Sequence, residues 1–289
     1  MKQLVCLFIC LTLIVEARFP ASGQTVTNCQ LPGIVCTSET RANPPQRLCI
    51  ARIDLTNPHV HLRVAPGGPD PDGPGEWETT LMPPTQIADR EHFSLVVNGD
   101  FFLARHVQDA EGARSGYRAG QWARTEGTAM TDGQTWSTSA KRRPCLVIHK
   151  NGRVTIESLT KPGADDWEVV GGGPILLRDG AVVVPPAKPG NKFDGPNPRT
   201  VVGLDGSGTT LTLLVVDGRK PGIANGMTLD ELAAEMLRLG CKDAINLDGG
   251  GSSVMAVRDP ATRMMKILNQ PTDGHERAVA DVLGIVINK

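Results

Sequence analysis

The eight residues Asn246-Leu247-Asp248-Gly249-Gly250-Gly251-Ser252-Ser253 constrain this chain more than any other stretch. A carboxylate ends an apolar run, and three glycines and two hydroxyls follow it directly. Glycine is costly to order and packs nothing, so three in succession belong where backbone turns sharply or lets a ligand come close. A tight hairpin would need only one or two. An Asp beside unpaired backbone amides can do chemistry or bind charge, which makes the segment a candidate site.

Upstream the chain spells strand, helix, strand. Residues 211–216 form a nearly continuous apolar run that stops at Asp217-Gly218-Arg219. Thr228 and Glu231 make a capping box, and Leu229, Leu232, Ala233, Met236 and Leu239 recur at helical spacing until Gly240 ends the helix. Residues 244–247 are apolar again. Such a unit usually joins two parallel strands by a right-handed crossover. If those strands are neighbours, Asp217 and Asp248 face one crevice at the carboxyl edge of the sheet, where open sheets place ligands.

Short strands dominate elsewhere. Asn151-Gly152 and Arg178-Asp179-Gly180 sit between apolar runs as hairpin turns, and residues 95–97 form a strand feeding Asn98. With one clear helix, the expected class is α+β, a large mixed β-sheet with few helices that includes the strand-helix-strand unit. Residues 66–84, rich in Pro, Gly, Asp and Glu, read as a surface loop. Asp70-Pro71-Asp72-Gly73 lacks the further oxygen ligands of a calcium loop. The polar insertion 104–143 is long enough to shape a site entrance.

Composition narrows the partners. A net charge of −1 with scattered basic residues gives no stripe for nucleic acid and no basic helix for a membrane surface. Lys2 precedes an apolar run at 4–15, too short to span a bilayer comfortably, and Ala21-Ser22-Gly23 offers small residues for cleavage. Residues 1–23 therefore read as a signal peptide, residues 24–95 as an N-terminal segment with a variable loop, and residues 96–289 as the main domain, with 45–95 expected to pack into it. The expected location is secreted or periplasmic. Past the cleavage point Cys29, Cys36, Cys49, Cys145 and Cys241 remain, an odd set. An oxidising compartment predicts one disulfide among the first three and at least one thiol left over.

Other signatures are missing. The triple glycine has no Gly-Lys-Ser/Thr ending of a P-loop, and Ser252-Ser253-Val254 is no nucleophile elbow. There is no His-Glu-x-x-His; His59 and His61 read as a surface pair, and His275 as a surface residue or a site residue beside Asp281.

Six further strings share one order and spacing with a known family. Asn197-Pro198-Arg199-Thr200-Val201-Val202-Gly203, Val216-Asp217-Gly218-Arg219, Gly226-Met227-Thr228-Leu229 and Asn246 to Ser253 resemble the phosphodiester glycosidase domain. Asn98-Gly99-Asp100-Phe101-Phe102, Gly171-Gly172-Gly173-Pro174 and Arg277-Ala278-Val279-Ala280-Asp281 extend the resemblance. It implies a hydrolase that cleaves the glycosidic bond of a sugar-1-phosphodiester, releasing free sugar and a phosphate monoester, with a phosphorylated saccharide or glycan, exopolysaccharide included, as partner.

That chemistry expels a good leaving group, so the protein has mainly to stabilise positive charge at the anomeric carbon and hold the anion. Glycosidases commonly pair two carboxyl groups. Asp248 and Asp217 are the expected catalytic pair. Arg199 and Arg219 offer planar forks to phosphate oxygens, with surface ion pairing as the alternative for each. The amides of Gly249, Gly250 and Gly251 and the Ser252 hydroxyl add donors, and Asn98 and Asn246 bind the sugar or fix a carboxylate. No cofactor is implied; Asp100, Asp217 and Asp248 are of the type that holds a divalent cation, without a legible ligand count. Two rival classes use the same residues: a phosphodiesterase that cleaves phosphorus from oxygen, and a saccharide-binding domain without catalysis.

Overall fold

The computed structural model describes residues 23–106, 116–188, 190–191 and 193–288. The signal peptide expected over residues 1–23 falls, apart from residue 23, outside those described. Strands β1 (Gln24–Leu31), β2 (Ile34–Ala42), β3 (Pro45–Asp54), β4 (Val60–Pro66) and β5 (Thr79–Thr80) precede helix α1 (Pro84–Arg90). Next come β6 (Leu95–Asn98), β7 (Phe102–Ala104), β8 (Trp122–Thr125), β9 (Ala129–Thr131), β10 (Gln134–Ser137), β11 (Arg143–His149), β12 (Val154–Leu159) and β13 (Asp166–Gly171). The rest comprises β14 (Ile175–Arg178), β15 (Ala181–Val182), β16 (Arg199–Asp205), β17 (Thr210–Val216), helix α2 (Leu229–Arg238), β18 (Cys241–Asn246), β19 (Met255–Arg258), β20 (Met265–Ile267) and β21 (Asp281–Ile287).

An eight-stranded sheet runs β1-β2-β3-β17-β16-β18-β14-β15, and two five-stranded sheets run β10-β9-β13-β11-β12 and β20-β19-β6-β21-β4. Three short strands, β5-β8-β7, form a fourth sheet. The inner faces of the three large sheets meet in one core: Ile53, Leu213 and Ile245 from the first, Leu146 and Val170 from the second, Val97 and Leu283 from the third. Helix α2 covers the other face of the eight-stranded sheet through Leu232, Ala233 and Met236 against Leu48, Leu214 and Ala244. Helix α1 covers the outer face of the third sheet with Ile87 and Ala88 on Val96 and Val282. The unbroken apolar run of β17 follows from this layering: Leu211, Leu213 and Val215 enter the inner core while Leu214 and Val216 meet α2, so both faces are dry.

The α+β class and the scarcity of helices hold, with all named strand pairs antiparallel. Both sequence-read hairpins form, β11–β12 around Gly152 at φ +83° and β14–β15 around Gly180 at φ +79°. The capping box of α2 is complete, with the Thr228 side chain accepting from the Glu231 amide and the Glu231 side chain accepting from the Thr228 amide. The strand-helix-strand unit departs from expectation in one respect. Strand β16 lies between β17 and β18 and pairs antiparallel with each, so the two strands run parallel without touching. A one-strand gap separates the carboxyl ends that were expected to be neighbours.

The N-terminal strands belong to the same sheet: β3 pairs with β17 along its length, and β1 and β2 extend it. Cys29 and Cys36 are register partners across β1–β2 and form the disulfide, leaving Cys49, Cys145 and Cys241 buried as thiols. Arg41 on β2 makes a two-pronged pair with buried Glu235 on α2, at 3.0 and 2.8 Å, which ties this hairpin to the helix. Among the described residues, no helix is long and apolar enough to cross a membrane.

Candidate active site

The edge of the eight-stranded sheet where β17 and β18 end is also where antiparallel β16 begins. Arg199 pairs with Val216 and Val201 with Asn246, which brings Arg199, Asp217 and Asp248 to one edge. A cavity of about 240 Å³ opens there, lined by Asp248, the three glycines, Arg199, Arg219, Arg277, Glu126 and four aromatic rings. Its volume falls below the roughly 300–1,000 Å³ of pockets for drug-sized ligands.

Asp248 hangs from the backbone around Asn98. Its amide donates to the Gly99 carbonyl at 3.0 Å, and the Asn98 side-chain amide donates to the Asp248 carbonyl at 2.7 Å. One carboxylate oxygen accepts from the Gly249 amide at 2.8 Å. Burial pushes the Asp248 carboxyl up to about 6, against the Ser252 hydroxyl, the Gly249 amide and the Arg277 guanidinium, which favour its charged form. The glycines let neighbouring groups come close. A Cβ on Gly249 would meet the Pro198 carbonyl oxygen at 2.7 Å, and one on Gly251 would meet the Arg277 guanidinium, while Gly250 has φ +63°. The Gly250 amide donates to the Pro198 carbonyl at 2.9 Å, so two of the three expected anion donors, Gly249 and Gly250, are engaged inside the protein.

The other expected residues divide. Asp217 does not line the cavity. Its carboxylate is buried, accepting from the Asn269 side chain at 3.1 Å and from the Gln270 amide at 3.0 and 3.1 Å, with Arg47 at 3.9 Å. Burial raises its pKa, which these partners oppose. The expectation that Asp217 and Asp248 share a crevice fails because β16 separates their strands and the segment at 269–270 covers Asp217.

Asn98 and Asn246 are buried struts. Besides holding Asp248, Asn98 accepts from Thr200 at 2.7 Å and from the Val254 amide at 3.2 Å. The Asn246 side chain donates to the carbonyls of Gly173 and Leu247 at 2.9 and 2.8 Å. Ser252 is buried in the short 3₁₀ turn Gly250–Ser252.

Arg199 is buried, with Nε and Nη2 donating to the carbonyls of Met227, Phe193 and Gly195 at 3.0, 2.7 and 3.0 Å. Burial lowers its pKa to about 10, with Asp194 opposing and Arg219 adding repulsion. Arg199 therefore shapes the wall and lends positive charge more than it offers a free fork. Arg219 sits at φ +59°, a conformation that a non-glycine residue adopts rarely, and its guanidinium lies over Gly250 while donating to Asn197 Oδ1 at 3.1 and 2.9 Å.

Sequence reasoning missed Glu126, Arg277 and Tyr117 as site residues. Arg277 lies in a string that the motifs did contain, yet nothing in that string showed that it reaches the glycines. It donates to Asp273 at 3.1 and 2.8 Å and stacks 4.6 Å from the Tyr117 ring. Glu126 comes from the insertion 104–143, which carries no family pattern. The Arg143 guanidinium pairs with its carboxylate at 2.9 Å, and its amide donates to the Phe101 carbonyl at 2.8 Å. In a chain only 4% aromatic, Phe101, Phe102, Tyr117 and Phe193 share this one cavity. His59, His61 and His275 are exposed. Among the described residues, no group of three or more His, Cys, Asp or Glu side chains is arranged to hold a metal ion.

Comparison with known proteins bears on the fold and the family. The fold matches the catalytic domain of zebrafish N-acetylglucosamine-1-phosphodiester alpha-N-acetylglucosaminidase, auto-inhibited by its pro-peptide, with a TM-score of 0.64 at 20% identity over 93% of this chain and 89% of that one. An exported-protein candidate of Burkholderia pseudomallei K96243 superimposes with a TM-score of 0.62 at 17% identity, over 84% of this chain and 74% of that one. The SPbeta prophage-derived uncharacterized protein YomE of Bacillus subtilis (strain 168) is 40% identical over 89 residues, which cover 31% of this chain and 13% of that protein's length. The profile of the phosphodiester glycosidase family matches residues 92–286, a span that holds every wall of the cavity, and the chain belongs to that family.

Proposed function

We propose that the protein is a secreted hydrolase that splits the glycosidic bond of a sugar-1-phosphodiester and releases free sugar and a phosphate monoester. The observation that carries this reading is the cavity itself: a carboxyl held at about 6 lies in one small space with a second carboxylate and three guanidinium groups. Arg219 and Arg277 are the cations best placed to hold the phosphate oxygens, with Arg199 behind them adding positive potential. Asp248, ionised above about 6, stabilises the oxocarbenium-like centre as nucleophile or as base toward water. Glu126 replaces Asp217 as the second carboxylate. It pairs with the Arg143 guanidinium at the cavity wall and serves to orient the sugar or water. The aromatic rings supply faces for the sugar. Asp217 keeps a structural role, holding the segment at 269–270 against the sheet edge. The Cys29–Cys36 disulfide fits an oxidising compartment and, with the apolar run at 4–15, underlies the secreted assignment.

The test is isotopic. Hydrolysis of a sugar-1-phosphodiester in oxygen-18 water, under conditions where the free sugar does not exchange its anomeric oxygen, should give labelled sugar and unlabelled phosphate monoester. Label in the phosphate would assign cleavage to the phosphorus–oxygen bond, and binding without turnover would leave a saccharide-binding domain.

A further inference from the structure

Directly beneath the cavity lies a second pair of carboxyls that the proposed chemistry does not use. Asp100 is 1% exposed and Asp281 0%. The Asp100 amide donates to Asp281 Oδ1 at 2.8 Å, the Gly99 amide donates to the Asp281 carbonyl at 3.0 Å, and Asp100 Oδ2 accepts from the Gly127 amide at 2.6 Å. Asp100 Oδ1 and Asp281 Oδ2 are buried without a hydrogen-bond partner among the described residues. The backbone is cut away to admit both groups: a Cβ on Gly99 would stand 2.5 Å from Asp281, and Cβ atoms on Gly127 and Gly171 would stand 2.7 and 2.5 Å from Asp100.

Both cavity carboxylates hang from this assembly. Asp248 is held by the Gly99 carbonyl, and Glu126 by the Phe101 carbonyl, while Gly127, the residue after Glu126, is held by Asp100 itself. The turn 98–101 is thus the frame on which the two arms of the site are mounted, and Asp281 fixes it from below. Two fully buried carboxylates with unpartnered oxygens are costly, whereas a proton on one of them turns an orphaned acceptor into a donor.

We infer that Asp100 and Asp281 are positioning residues that together hold one proton, and that loss of this proton loosens the turn 98–101 and switches the site off on the alkaline side. The inference rests on the proposed roles of Asp248 and Glu126. Burial raises Asp100 to about 7, opposed by the Gly127 amide and by Arg143, with Glu126 adding repulsion. Burial and the charge of Asp100 hold Asp281 well above its ordinary range, and Asp248 and Glu78 act in the same sense. Among the described residues the Cys145 thiol on β11 also neighbours Asp100; burial and Asp100 push it up to about 12, so it stays neutral throughout. The sign follows. A carboxyl raised in the native state binds a proton that the unfolded chain releases near 3.8, so its contribution to stability is full below that value and is lost as pH rises toward about 7.

Asp281→Asn keeps an oxygen to accept from the Asp100 amide and removes the titration; Asp281→Ala removes the acceptor as well. For wild type, kcat should fall on the alkaline side by about tenfold per pH unit, the limb of a single essential proton. In Asp281→Asn that limb should move up by at least one unit while the acid limb stays in place. Asp281→Ala should lower kcat with little change in KM, and Asp281→Asn should restore it. Asp100→Asn, which can still accept from Gly127, is the second variant and should move the same limb. Independently of any substrate, the decline of thermal stability between 3.8 and about 7 should be shallower in either Asn variant. An unchanged alkaline limb together with an unchanged stability slope would overturn the inference. Altered stability slopes in a protein that hydrolyses no sugar phosphodiester would instead overturn the proposed function and leave the shared proton standing.

Discussion

The ends of β17 and β18 look alike in sequence and differ in what surrounds them. Each apolar strand runs into an Asp followed by glycine, and both ends lie at the same edge of one sheet. At Asp217 the protein has spent the carboxylate: a backbone amide and a side-chain amide bind it, and the segment at 269–270 closes over it. At Asp248 one oxygen takes the neighbouring Gly249 amide and the carboxyl opens onto a cavity with guanidinium groups. Strand position brings a carboxylate to a sheet edge. Whether it can act on a ligand depends on how many of its lone pairs the fold has already used, and that is decided by distant segments.

The sharpest way to break this comparison is to neutralise each carboxylate. Asp248→Asn should cut kcat by about a hundredfold or more, roughly 3 kcal/mol in barrier, with the fold intact by circular dichroism. Near wild-type turnover would remove Asp248 from the chemistry. Because burial holds Asp248 near 6 and the charged form acts, activity should fall on the acid side below about 6, by about tenfold per pH unit. A flat acid profile across that range would show that its charge is not needed.

Asp217→Ala should do the opposite. Removing the acceptor orphans the Gln270 amide and the Asn269 side chain, a loss of about 1–3 kcal/mol in unfolding free energy, while turnover of the folded protein falls far less than in Asp248→Asn. Equal kinetic damage at the two positions would restore the two-aspartate site.

A smaller effect is expected from the cations. Arg219→Lys and Arg277→Lys keep charge but lose the fork, and each should raise KM for phosphodiesters by about tenfold, near 1.4 kcal/mol. Arg199→Lys, whose partners are mostly backbone carbonyls, should show more in thermal stability than in KM. If all three shift KM alike, Arg199 is a direct ligand. Smallest is Thr228→Ala, which removes the cap of α2 and should cost about 1 kcal/mol of stability with unchanged kinetics.

Legibility followed the range of the interactions. Hairpins at Gly152 and Gly180, the α2 capping box and the buried strand β17 depend on residues a few positions apart, and each formed as the sequence implied. The glycine run was legible as a place of close approach, because a Cβ at Gly249 or Gly251 would meet backbone or a guanidinium. The insertion 104–143 was legible as polar chain long enough to shape a site entrance, but not in the residues it would contribute. Nothing local shows that Glu126 binds the Phe101 carbonyl and returns to the cavity.

By itself, then, the sequence determined the class of the fold, the family and the glycine loop that lines the cavity, since hydrophobic period, turn chemistry and glycine placement are written in short-range steric rules. Only the tertiary structure decided that β16 parts Asp217 from Asp248, that Asn98 and Asn246 brace backbone, and that Glu126 and Arg277 enter the cavity. A carboxylate's role depends on burial and on donors supplied from far along the chain, and those are properties of packing that no local pattern encodes.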